Sequence, residues 1–202
     1  MADTAPRKWL DEVTGLSGPI DIGRPATLAD LESCPEGSNI ELVSGSLYAQ
    51  PSPRIAHRFV QTRLVSEIGG PFDRDPSGPG GWVFLMEPEI RIGDTALIPD
   101  MAGWRRERLV YGPDATWTDV APDWVCEVLS PSTAARDRSL KSGIYSAWGV
   151  RYMWLIDPSL RTLEAYRNHD GHWLQLAVLN EGDEVKVEPF DAAPFKLDAL
   201  WT

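Results

Sequence analysis

The stretch Pro122-Asp-Trp-Val-Cys-Glu-Val-Leu-Ser130 constrains the fold more than any other. Val125, Cys126, Val128 and Leu129 are residue types that fill a strand covered on both faces, so the chain must supply a layer on each side. Glu127 stands inside that run. An ionised carboxylate there loses hydration and needs a partner, a proton or a metal. Strand propensity gives no reason for it. Leu97-Ile-Pro-Asp-Met-Ala102 repeats the pattern with Asp100 as its single acid. Two acids on neighbouring strands can share a divalent cation, and the rest of the chain reads as scaffold for them.

Strand and helix signals alternate around these stretches. Residues 1–24 are poorly periodic and read as an N-terminal arm, leaving residues 25–202 as a single domain. Thr27 caps a short helix with Asp30 three residues on. Ser44-Gly45 turns a hairpin within Ile40–Ala49. Pro51-Ser-Pro53 then precedes a helix over Arg54–Ile68, with Ile55, Phe59, Leu64, Val65 and Ile68 at helical spacing. Two strands, Trp82–Ile92 and Thr95–Arg105, are expected to meet at Gly93-Asp94. Glu107–Ala121 reads as irregular. Ser130-Pro-Ser-Thr133 opens a helix from about Ala134 to Trp148, closed by Gly149. Strands follow at Tyr152–Ile156, Thr162–Arg167, Trp173–Leu179 and Glu184–Glu188, and Phe195, Leu197, Leu200 and Trp201 dock the tail. The pattern predicts an α/β (α+β) class, a mixed sheet flanked by helices with extra C-terminal hairpins.

On the helix after Glu127, Asp137, Lys141 and Tyr145 lie at i, i+4 and i+8. Leu140, Ile144 and Trp148 form a neighbouring stripe, expected to pack on the sheet with Lys141 at its edge. From there Lys141 can reach back toward Glu127. Asp123 is the rival to Asp100, but it stands only four residues before Glu127 on the same strand. No G-x-S-x-G elbow or P-loop is present, and Gly78-Pro-Gly-Gly81 is not a dinucleotide fingerprint.

The motifs Glu41-Leu-Val-Ser-Gly45, His57, Pro99-Asp100, Glu127-Val-Leu-Ser-Pro-Ser-Thr133, Asp137, Lys141, Tyr145, Gly149 and Trp154-Leu-Ile-Asp157 occur in that order. They resemble the Uma-two family, a branch of the PD-(D/E)XK or restriction-endonuclease-like superfamily, from about residue 28 to 180. The resemblance implies a restriction-endonuclease-like core and a Mg²⁺-dependent endonuclease acting on DNA, with Mn²⁺ as substitute. Asp100 matches the metal-binding aspartate and Glu127 the acid of the D/E-X-K element. Glu41 matches a further metal-shell acid. Leu129 occupies the place of the in-strand lysine, whose role the resemblance moves to Lys141. His57, Asp137 and Tyr145 are accessory candidates, and a homodimer is expected.

Composition cuts partly against this. The net charge of −11, from 19 basic and 30 acidic residues, opposes binding that runs on counterion release. A catalytically inactive nuclease-fold binding module is therefore the alternative reading. Cys34 and Cys126 are expected to be unbridged, and no apolar run suits a signal or a membrane span, which points to the cytoplasm.

Overall fold

The computed structural model describes residues 19–35 and 37–201, so all but the end of the expected N-terminal arm lies outside the described residues. Two six-stranded sheets form the body. The first runs β1 (Pro19–Ile20), β3 (Ser46–Ala49), β2 (Ile40–Val43), β6 (Thr95–Leu97), β5 (Glu89–Ile92), β8 (Trp117–Thr118). The second runs β12 (His172–Leu179), β11 (Thr162–His169), β10 (Tyr152–Asp157), β9 (Trp124–Val128), β7 (Met101–Arg105), β4 (Trp82–Met86). A small pair, β13 (Glu184–Val185) with β14 (Phe195–Lys196), closes the C-terminal side.

The hairpin turns follow the sequence. Ser44-Gly45 and Asp170-Gly171 adopt positive φ at both turn positions, which matches the twist of two-residue hairpins. At Gly93-Asp94 the flanking residues Ile92 and Thr95 pair directly. The expected strands Trp82–Ile92 and Thr95–Arg105, however, are each broken in two. Glu87, at φ 49, precedes Pro88 and ends β4, while Pro99 lies between β6 and β7. The long hairpin therefore bends from one sheet into the other: β4 pairs β7, and β5 pairs β6. Asp100 sits at that bend, where the Glu87 N–H donates to its carbonyl at 3.1 Å. Trp117, expected in an irregular segment, instead adds β8 to the first sheet.

β9 and β10 are parallel, with Glu127 opposite Leu155. The crossover between them carries α3 (Ala134–Arg136), a π-helical turn (Asp137–Lys141) and α4 (Ser142–Ala147), not the single α-helix expected. Alternation along β9 divides the core. Trp124, Cys126 and Val128 face α2 (Ile55–Gly69), joining Val60, Leu64, Ile68 and the C-terminal Phe190 and Leu200. Val125 and Leu129 face the crossover with Met153, Leu155 and Tyr145. The stripes of the crossover are also inverted from expectation. Asp137, Lys141 and Tyr145 are buried, while Leu140, Ile144 and Trp148 are only half-buried. The reason is electrostatic: Lys141 points inward because its acidic partners are inside.

Candidate active site

Glu127 lies in a strand buried on both sides and faces the crossover, so its carboxylate loses most of its hydration and must find donors. It finds three. Lys141 Nζ lies 2.6 Å from Oε1, and the Tyr145 hydroxyl donates to the same oxygen at 2.5 Å. The Asp100 backbone N–H points at Oε2 at 3.4 Å. Asp100 belongs to the segment just before β7, whose Met101 pairs with Cys126, and this register sets Asp100 beside Glu127. Its Oδ2 accepts the Val128 N–H at 2.6 Å, and its Oδ1 is held by His57 Nε2 at 2.8 Å. Gln61 Nε2 adds a longer contact at 3.3 Å.

Lys141 is 2 % exposed. Besides Glu127 it meets Glu41 Oε1 at 3.1 Å, the Ile98 carbonyl at 3.4 Å and Asp137 at 3.9 Å. The three hydrogens of an ammonium thus face near acceptors. Burial works to lower its pKa, but Glu127, Glu41, Asp137 and Asp100 outweigh that and raise it. Lys141 is therefore a fixed positive charge. Glu127 moves the other way: burial, helped by Asp137, Asp100 and Glu41 and opposed by Lys141, lifts its carboxyl to about 8. Burial likewise raises Asp137 and Tyr145, the latter reinforced by Glu127 and Glu41.

Glu41 enters from β2 in the other sheet. Its Oε1 accepts the Ile98 N–H at 2.9 Å, and its Oε2 lies 3.2 Å from Arg136 Nη2. Its carboxylate is thus shared between Lys141 and Arg136. The π-helical turn widens the helix so that Asp137 and Lys141 both turn inward; such turns recur at functional sites.

Asp100, Glu127, Lys141, Asp137 and His57 all line one open cavity of about 310 Å³. Its rim is built from Pro51–Arg54, Ser130–Thr133 and Pro158-Ser159. Leu129 also lines it, at the place where an in-strand lysine would stand. Tyr145 and Glu41 approach from behind. Gln61, Glu87 and Arg136 were not singled out from sequence. Gln61 is buried mid-helix, a polar signal visible only as a break in the apolar face of α2. Glu87 carries a positive φ ahead of a proline, which sequence does not announce.

A family model described as "Uma2: Putative restriction endonuclease" matches residues 26–198. The chain belongs to the Uma2 family. Its fold is shared by a solved structure from Anabaena variabilis described as "a putative nuclease belonging to DUF820". The TM-score is 0.73 at 23 % identity, covering 88 % of this chain and 98 % of that one. No curated protein matches it. The restriction-endonuclease-like core expected from the motifs is thus the Uma2 fold seen here.

Among the described residues of this Uma2 chain, no three His, Cys, Asp or Glu side chains converge as a ready-made metal cage. Mg²⁺ does not need one: it binds through one or two carboxylates and keeps several waters. Asp100 and Glu127 are oxygen donors side by side on an open cavity, a set that fits such an ion. No helix of the described residues is long and apolar enough to cross a membrane.

Proposed function

We propose that this Uma2 chain hydrolyses DNA phosphodiester bonds with a divalent cation, Mg²⁺ or in its place Mn²⁺, as an endonuclease. One observation carries the reading: a buried Lys141 at 2.6 Å from Glu127, with the Asp100 N–H directed at the same carboxylate and both acids on one cavity. Asp100 and Glu127 would hold the cation, which supplies Lewis acidity and a more acidic water. Water forms the new bond to phosphorus and gives up a proton to solvent in the open cavity, the bond to the leaving nucleoside oxygen breaks, and that oxygen takes up a proton from solvent. Lys141 places a positive charge where negative charge grows on the phosphoryl oxygens. It cannot act as the base, because its neighbours hold its proton. Tyr145 fixes the orientation of Glu127, and His57 fixes Asp100. Glu41 and Asp137 hold Lys141 in place and complete its charge balance. Leu129 keeps the strand side of the cavity apolar.

The test is cutting of plasmid DNA with Mg²⁺ or Mn²⁺ by the wild type, Asp100→Asn and Lys141→Met. Cutting by the wild type that both variants lose supports the reading; equal cutting by all three points to a contaminant and defeats it. A second reading, an inactive nuclease-fold binding module, is favoured by the acceptors that already face Lys141 and by the absence of a third converging acid among the described residues. Titration calorimetry separates the two: Mg²⁺ binding lost in Asp100→Asn argues against a dead site.

The same reading includes a homodimer in the cytoplasm. β12 is an eight-residue edge strand, His-Trp-Leu-Gln-Leu-Ala-Val-Leu, with no acid, lysine, arginine or proline to discourage pairing, and with Leu174 and Val178 exposed. Light scattering after gel filtration measures the mass. A Val178→Lys change is expected to convert a dimer to a monomer.

A further inference from the structure

Unpaired positive charge runs along one helix, winding about half a turn around it from Arg54 to Arg63. Arg54, Arg58 and Arg63 are exposed at and beyond the start of α2. None of them is in an ion pair among the described residues. Several other arginines are neutralised, as Arg138 is by Glu164 and Arg106 by Asp73, whereas Arg74, Arg105 and Arg151 also have no ion pair among the described residues but are not grouped on one helix. In a chain of net charge −11, three unpaired arginines on one helix leave a local excess of the opposite sign.

The layout runs against helix stability. Cations belong near a helix C-terminus and anions near its N-terminus. Here Arg54 is the N-cap, no acid stands in the first turn, and the one acid, Glu67, lies at the far end. The helix dipole adds to the arginines instead of opposing them. An external anion relieves both.

Apolar groups are interleaved with the charges. Ile55 is 87 % and Phe59 40 % exposed, and the Arg63 guanidinium lies 5.0 Å from the centre of the Phe59 ring. Ile55, Arg58, Phe59, Thr62 and Arg63 fall on one outer face at helical spacing. From Arg54 to Arg63 the helix rises about 13 Å, the rise of roughly four nucleotides. Arg54, Ala56 and His57 line the same cavity as Asp100 and Glu127, so the face leads directly into the site.

We infer that Arg54, Arg58 and Arg63, with Ile55 and Phe59 between them, bind a single-stranded stretch of nucleic acid and lead it into the cavity. The inference rests on the nuclease reading for what happens at the end of the path. Guanidiniums take the phosphates, and an aromatic ring with an aliphatic neighbour takes unstacked bases. A duplex hides its bases and offers Phe59 and Ile55 nothing. A second copy of the chain is disfavoured as occupant, because a two-fold contact would bring the same arginines together.

The test is fluorescence anisotropy in EDTA, where no cutting occurs, with the full chain and a labelled 20-nucleotide strand or its duplex. The wild type is expected to prefer the single strand. Arg54→Ala/Arg58→Ala/Arg63→Ala is expected to weaken binding at least tenfold and to reduce the salt slope by about 2. The charge-matched control Arg151→Ala/Lys186→Ala/Lys196→Ala is expected to weaken it less than threefold. Phe59→Ala is expected to weaken the single strand only. Equal losses in the two triple variants, a preference for duplex, no binding by the wild type, or a fall in molecular mass for Phe59→Ala would each overturn the inference. Cutting by the wild type with an unaffected arginine triple sinks this surface and leaves the nuclease reading standing. Specific loss of binding in the triple, with no cutting by the wild type under any metal, keeps the surface and sinks the nuclease.

Discussion

Lys141→Met removes the charge around which the buried acids are arranged, and the structure sets the size of the effect. The ammonium lies 2.6 Å from Glu127, 3.1 Å from Glu41 and 3.9 Å from Asp137. At an effective dielectric of about 20 these contacts are worth roughly 6, 5 and 4 kcal/mol gross. Most of that offsets the cost of desolvating the ammonium and the carboxylates, and the abandoned acids can relieve themselves by taking up protons. Breaking a buried pair by deleting one partner typically costs about 3–5 kcal/mol. We expect that loss at neutral pH, a large part of a domain's usual stability of about 5–15 kcal/mol. Methionine fills much of the same volume, so the loss is electrostatic and depends on pH. In the variant the acids have folded-state pKa values above their unfolded ones. The folded form then binds extra protons, and its stability falls as pH rises through that interval. Wild type and variant should thus lie closest near pH 4–5 and diverge most as pH rises through and above about 8, where Glu127 ionises in the wild type. Urea unfolding followed by tryptophan fluorescence reads this directly, since Trp82, Trp104, Trp124 and Trp154 are buried. Arg161→Ala, which removes a surface pair with Glu181, serves as control and is expected to cost less than about 1 kcal/mol. A stability gap that stays constant from pH 5 to 9, or one no larger than the control's, would refute the reasoning.

Three further outcomes follow from single contacts. The carboxyl of Glu127, raised from 4.5 to about 8 chiefly by burial, makes metal-free wild type lose stability as pH climbs from about 5 to 8, and Glu127→Gln should flatten that slope in EDTA melts. Asp30 is shifted the opposite way. Arg24 holds both its oxygens, at 2.7 and 2.8 Å, against the penalty of burial, and Thr27 donates to it through its hydroxyl and backbone N–H. Its contribution is present above the usual carboxylate range and lost as pH falls through its lowered folded-state pKa, so Asp30→Asn should destabilise at pH 7 by an amount that shrinks as pH falls from about 4 toward 2. Gly103→Ala puts a methyl 3.0 Å from the Phe84 ring and 3.2 Å from Trp124, an overpacking expected to cost about 1–3 kcal/mol in urea unfolding.

A carboxylate in an apolar run reveals that the chain must bring it a partner. Glu127 and Asp100 were visible because burying an acid without a partner is costly, and that cost depends only on neighbours along the chain. The partner was visible only in part. Spacing put Lys141 on the right helix, but amphipathic reasoning put Leu140, Ile144 and Trp148 on the packed face. The structure buries Asp137, Lys141 and Tyr145 instead, because three inward acids outweigh the hydrophobic preference of the other stripe. Local patterns measure apolar area and cannot count charges arriving from other strands. The same limit explains Glu41. It sits in β2, one sheet away, and reaches the site only because the hairpin of β4 to β7 bends across both sheets at Glu87-Pro88 and Pro99. The prolines mark an interruption, but which sheet each half of the hairpin joins, and with it the corner that turns the Asp100 N–H toward Glu127, is a tertiary fact. The bend also makes the site's two acids interdependent. The Asp100 backbone N–H serves Glu127 while the Val128 backbone N–H serves Asp100, so a shift of one segment against the other disturbs both carboxylates together. Such coupling fixes both carboxylates through the pairing of β7 with β9, before any ligand arrives.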